Sequence, residues 1–295
     1  MESAVAQYKL IKRIKDEKFE EEDIHNYVLL ISIGSRDFQT AVVDTRDNRL
    51  LQQEDYMLPE VSSADELLST LDQLFEAHAY LRAGFWKEIK VSLKNQKFAQ
   101  VPKALFSPEA IGEYLKFNAH IDASNETFLH TSLESSEIVT VFPIQNHLRE
   151  WLERVYPGKD TIFTHQSAVL IEGVVQYAIS HDSSPLFVYI DRFRLHILAV
   201  KGGKLLYYNQ FLIKQFADYI KYIMLVLKSL GMNQKTSVVQ LWGYIGKNSP
   251  HYHEFYKYIN NVTFGGRPSF LTFGYIFDEV QEHHFFDLYN IHMFR

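Results

Sequence analysis

The sequence contains no cysteine, which excludes disulfides, thiolate zinc sites, iron–sulfur clusters and cysteine nucleophiles, and fits a reducing compartment. Glycine is scarce, at 13 of 295 residues, and its placement excludes several enzyme classes. Gly34 stands alone and Gly202-Gly203 sits between two strand patterns, so there is no P-loop, dinucleotide fingerprint or serine nucleophile elbow. Positive charge is the minority, with 30 Lys and Arg against 36 Asp and Glu, giving a net charge of −6. That balance removes the basic field with which a general nucleic-acid binder displaces phosphate counterions. Long apolar runs are missing too. The most apolar helix-like run, Tyr219 to Leu230, is interrupted by Lys221 and Lys228 and falls short of the ~20 residues a membrane span needs. The first residues, MESAVAQYKLIKRIKDEKFEEED, carry charge where a signal peptide needs an apolar stretch. We therefore expect a cytoplasmic chain with no membrane span and no nucleic-acid partner.

What is abundant is large apolar surface: 46% of residues are hydrophobic, including 22 Phe, 18 Tyr and 3 Trp, enough for a sizeable core without metal or disulfide staples. The length suits one large or two medium domains. The patterning favours two. Leu186 to Ile190 is an apolar run ending in Asp191; Arg194 to Val200 alternates; Gly202-Gly203 is a two-residue turn; Lys204 to Phe211 returns. Tyr27 to Met57 reads the same way, as strand, turn, strand, turn, strand. Laying Ile31-Ser32-Ile33-Gly34 over Ile190-Asp191-Arg192-Phe193 gives a domain-sized offset, so the chain reads as a duplicated α/β protein. Two meanders without duplication is the alternative.

Helices are expected after each meander. Ser63 and Glu66 form a capping box before Leu67, Leu68, Leu71, Leu74 and Phe75, and Phe216 to Leu230 carries a helical stripe closed by Gly231. Lys87 to Leu93 alternates as a strand. Ser107-Pro108-Glu109 reads as a further helix start, and Glu126–Leu133 with Glu137–Phe142 as two strands, the second ended by Pro143. Tyr8 to Ile14 reads either as an edge element or as part of a solvated charged stretch. The segment from His181 to Pro185 is the best linker. The domain division drawn from these signals is an N-terminal extension over 1–22, a first domain over 23–160 and a second over 161–295.

A meander, helix, strand, helix and strand, repeated in two halves, resembles the duplicated ribonuclease-H-like halves of the actin, sugar kinase and heat-shock-protein superfamily. More closely, Tyr27 to Leu58 and the FVYIDRF stretch around Asp191 are similar to an uncharacterised bacteroidete family of unknown function with an actin-like ATPase fold. The superfamily resemblance implies ATP with Mg²⁺ between the halves, held at two glycine-containing turns and a late glycine loop. The residues that would correspond are Ser32, Gly34 and Ser35 in the first turn, Asp191 in the second and Gly243 in the late loop. The match departs from the superfamily pattern at three points. Ser32 stands in place of a carboxylate, Arg192-Phe193-Arg194 replaces a glycine-rich turn, and bulky Tyr244 follows Gly243.

Two readings fit this pattern. The first is a binding or scaffold protein with a degenerate nucleotide site, no catalytic residue, no cofactor and no metal. The second is a divergent ATP-binding or kinase-like protein using Asp191, Gly34, Ser35 and Gly243. Arg192 or Arg194 could serve an anion, or could be exposed hairpin residues. His251, His253 and Glu254, or Glu279, His283 and Asp287 at successive i, i+4 positions, offer ligand types for a metal, against a simpler reading as surface groups. The aromatic tail from Phe270 to Phe294 either caps a core or, through Phe285 and Tyr289 rimmed by Glu282 and Asp287, forms a surface for a protein partner or homodimer.

Overall fold

The structure, a computed structural model, describes residues 8–61, 63–181 and 185–295. The first meander is β2 (Tyr27–Gly34), β3 (Asp37–Asp44) and β4 (Arg49–Met57), preceded by β1 (Lys9–Lys15) and followed by α1 (Ala64–Ala77) and β5 (Glu88–Lys94). Then come β6 (Ala99–Pro102), α2 (Ile111–Lys116), β7 (Glu126–Leu133), β8 (Ile138–Gln145), α3 (Asn146–Val155), β9 (Thr161–His165) and α4 (Gln166–His181). The second meander is β10 (Leu186–Ile190), β11 (Arg194–Lys201) and β12 (Lys204–Leu212). The chain continues with α5 (Phe216–Ser229), β13 (Val238–Gly243), α6 (Pro250–Tyr256), β14 (Asn261–Phe264), β15 (Thr272–Phe273) and α7 (Phe286–Asn290).

Two sheets repeat one strand order. In the first, β4-β3-β2-β5-β9 is an antiparallel meander extended by two parallel strands; in the second, β12-β11-β10-β13-β14 is the same arrangement. The local chemistry explains the elements. Gly202 and Gly203 take φ of 57° and 72°, the left-handed values a two-residue hairpin turn needs and a side chain resists. The Ser63 hydroxyl accepts from the Glu66 N–H at 3.2 Å and starts α1, which turns Leu71, Leu74 and Phe75 into the core. Gly231 ends α5, with the Met232 N–H donating to the Leu227 carbonyl at 2.8 Å. β10 is buried at every residue, as a strand covered on both faces must be.

α4 lies in the core that joins the two sheets, packing Ala168, Ile171, Val174 and Val175 with Val28 and Leu30 of β2, Phe187 of β10 and Phe286, Leu288 and Tyr289 of α7. A smaller sheet, β6-β8-β7, is inserted between β5 and β9.

Several expectations are corrected. Residues 9–15 form an edge strand, β1, antiparallel to β4, which is the edge reading of Tyr8 to Ile14 and joins them to the first sheet rather than to a separate extension over 1–22. β9 pairs in parallel with β5, so the strand just beyond the expected division at 160/161 lies in the first sheet. Pro143 does not end β8. The β6 ladder stops at Val141, so at Pro143 the strand has a neighbour on one side only and can accommodate a residue without an N–H. Ser107-Pro108-Glu109 starts a 3₁₀ turn, with α2 beginning at Ile111. Within the linker candidate, Asp182 to Ser184 lie outside the described residues.

Candidate functional site

The ends of β2 and β10, with the turns that come after them, bring most of the candidate residues together. The equivalence differs by two residues from the one read in the sequence. In the first hairpin Ile33 pairs with Phe38, and in the second Ile190 pairs with Leu195, so Gly34, not Ser32, occupies the place matching Asp191. A two-residue slip preserves which face each side chain meets, so the hydrophobic pattern alone could not reveal it. Ser32 is buried inside β2 between Gln39 and Ser92.

The first turn nevertheless has a carboxylate. A Cβ on Gly34 would fall 2.2 Å from Asp37 Oδ1, so the Asp37 carboxylate fills the space where a side chain at residue 34 would begin. Sequence reasoning missed it because it lies three residues further on, at the start of β3.

The Lys94 ammonium, at the end of β5 and fully buried, joins the two halves. It donates to Asp37 Oδ2 at 2.8 Å and to Gln39 Oε1 at 3.0 Å, and lies 3.4 Å from Asp287 Oδ2 and 3.9 Å from Asp191 Oδ1. Gln166 at the start of α4 donates its Nε2 to Asp191 Oδ2 at 3.0 Å and Asp287 Oδ2 at 2.8 Å, and the Tyr189 hydroxyl donates to Asp287 Oδ1 at 2.5 Å. Burial alone would strip Lys94 of its proton, but Asp191, Asp287 and Asp37 outweigh it and raise its pKa above the ordinary value. Burial also opposes ionisation of Asp191. Lys94 first, with His196 and the Gln166 amide, overcomes that and brings it down to about 2. At Asp37 burial prevails over Lys94, with repulsion from Asp191 adding to it, and the pKa is raised.

Arg192 is not an exposed hairpin residue. Its guanidinium pairs with Asp55 of β4 and lies 4.4 Å from the centroid of the Tyr244 ring, while Gln39 bonds both Asp55 and the Tyr244 hydroxyl. Gly243, with φ of 92°, pairs with Ile190; its N–H donates to the His283 carbonyl at 2.8 Å, and the Tyr244 N–H to the Ile190 carbonyl at 2.7 Å. Gly34 and Ser35 line a neighbouring pocket of about 360 Å³ with Lys94, Lys97 and Arg194. Lys97 is held by Glu126.

The remaining candidates do not converge. Glu279 pairs with Lys12 at the surface, His283 Nε2 meets the Ile245 carbonyl at 2.6 Å, and Asp287 belongs to the Lys94 cluster; the three are not on one helix. His253 and Glu254 lie on α6, where residues two apart diverge, and the His251 side chain is outside the described residues. Phe285 and Tyr289 are buried with Phe277 and Phe286 in the central core, so of the two readings of these rings it is the core-capping one that holds, not the surface patch. Of the tail rings, Tyr275 is exposed.

A family model described as "Protein of unknown function (DUF3822)" matches residues 16–262. The fold is similar to that of a Bacteroides thetaiotaomicron VPI-5482 protein described as having an actin-like ATPase fold and unknown function. That likeness has a TM-score of 0.71 at 22% identity and covers 84% of this chain and 93% of that one. It is also similar to a chain of the PilM-PilN type IV pilus biogenesis complex, with TM-score 0.60, 12% identity, and 90% and 97% of the two chains covered. No curated protein matches the chain. These likenesses establish the actin-like α/β architecture. Among the described residues no helix is long and apolar enough to cross a membrane.

Proposed function

The chain belongs to the DUF3822 family, and from that premise we propose that it is a non-catalytic binding or scaffold protein of actin-like fold with a degenerate nucleotide site. The observation that carries this reading is the Lys94 ammonium among Asp37, Asp191 and Asp287. Mg²⁺ demands oxygen ligands at about 2.0–2.1 Å in octahedral geometry, which a buried ammonium between the same carboxylates prevents. Arg192 acts in the same direction, packing its guanidinium against Asp55 and Tyr244 beside the turn that would have to admit phosphates. These residues do not fit a nucleotide with its metal.

On this reading the two halves descend from a duplication, meet at Lys94, and hold one relative position without a ligand. A fixed frame suits protein binding. The similar PilM chain belongs to a complex, which supports a protein partner here as well. Thermal unfolding with MgATP tests the reading, since occupancy at ~100 times Kd adds about 2.7 kcal/mol. We expect no shift. A dose-dependent shift that is lost in Asp191→Ala would establish instead a divergent ATP-binding protein.

A further inference from the structure

A cavity of about 640 Å³ lies among α4, the segment from Gly266 to Phe270, α7 and the last residues of the chain. It shares no lining residue with the Lys94 cluster, so a ligand bound here is independent of the role proposed for that cluster. The volume falls within the range of small-molecule sites. Tyr177, Phe270 and Met293 line it while half-buried against the core, so each contributes apolar surface to the space.

The charges along the wall narrow the ligand class. Among the described residues neither Asp nor Glu lines the cavity, so no side-chain carboxylate is there to favour a cation. Arg267 is already partnered: its Nη2 donates to the carbonyls of Phe277 and Val280, its Nη1 lies 3.6 Å from Asp278 Oδ1, and its guanidinium lies 4.7 Å from the centroid of the Phe273 ring. Arg295 is exposed, where solvent and salt screen it. The enclosed cation here, Arg267, is thus already answered by a carboxylate and two carbonyls, which disfavours a phosphate.

One hydrogen-bonding group is fixed and open. His181 stacks on Tyr177, with centroids 3.9 Å apart and planes 10° apart, and its Nδ1 lies 2.8 Å from the Tyr177 carbonyl. A carbonyl can only accept, so in the neutral imidazole the proton is on Nδ1, and Nε2, on an exposed ring that lines the cavity, meets no hydrogen-bond partner among the described residues.

We propose that this cavity binds an uncharged ring-bearing small molecule that packs against Tyr177, Phe270 and Met293 and donates an N–H to His181 Nε2. Titration of the full chain, followed by NMR, with indole, 1-methylindole, cyclohexylmethanol and inorganic phosphate tests this. Indole should bind saturably and about tenfold more tightly than 1-methylindole, which lacks the donor. In His181→Phe, which keeps a ring over Tyr177, that difference should vanish. A Cβ on Gly266 would meet nothing within 4 Å, so Gly266→Trp should set a large side chain at this wall without a clash at its Cβ, block the cavity and abolish binding. Ser269→Trp, from an exposed lining residue, serves should that variant not fold. The proposal is overturned by no saturation at millimolar indole, by binding that survives a folded cavity-filling variant, by equal affinity for the two indoles in the unaltered chain, or by a preference for cyclohexylmethanol or phosphate.

Discussion

Replacing Lys94 with Met removes one charge and keeps most of the side-chain volume, leaving Asp37, Asp191 and Asp287 buried without their shared cation. Deleting one partner of a buried ion pair costs about 3–5 kcal/mol, because the other charge stays desolvated. The net cost here should fall at the lower end, since burial already raises the Asp37 carboxyl and disfavours its charged form. The pH dependence tests the cause. In the unaltered chain Asp191 is depressed, so its contribution is present above the unfolded value of 3.8 and is lost only as pH falls towards about 2. In Lys94→Met burial acts on Asp37 and Asp191 without the opposing cation, which raises both, and the penalty at pH 7 is relieved as they protonate on acidification. Urea unfolding of both chains at pH 7 and pH 5 should therefore show a deficit of about 3 kcal/mol that narrows at the lower pH. Lys94→Met with Asp37→Asn should recover part of it. A loss below about 1 kcal/mol, or a deficit unchanged between the two pH values, would refute the assignment of Lys94 as the cation that neutralises this cluster.

Asp191→Asn should destabilise more than Asp37→Asn, because the environment favours the charged form of the first and disfavours that of the second; equal losses by denaturant titration would contradict it. Gly34→Ala must displace Asp37 from its place, and should cost about 1–3 kcal/mol, an effect that disappears when Asp37 is also Ala. A residual cost in the double variant would place the strain elsewhere. His165 and His196 are held neutral by burial, with values down to about 3 and about 4 against 6.5. The unfolded chain therefore binds more protons, and stability should fall by about 2 kcal/mol for each between pH 7 and pH 5. Phe in place of either should flatten that slope, as followed by melting temperature; an unchanged slope would mean that the ring titrates freely.

Local chemistry made much of the architecture legible. Alternation in β11, the apolar run of β10, the Gly202-Gly203 turn and the Ser63 cap act within a few residues, so the sequence by itself determined both meanders and the helices α1 and α5. The resemblance based on those patterns pointed to the actin-like architecture. What lay beyond the sequence was the meaning of isolated charges. Lys94, just past the strand read over Lys87 to Leu93, has no partner nearby in the sequence; its bond to Asp37 spans 57 positions and the Gln166 bond to Asp287 spans 121, and only the docking of the two sheets through α4 brings them together. The same holds for the tail rings, whose burial depends on α7 packing against α4. Register was decided there as well. A slip of two residues changes no hydrophobic face, so only the paired strands distinguish Gly34 from Ser32 as the counterpart of Asp191.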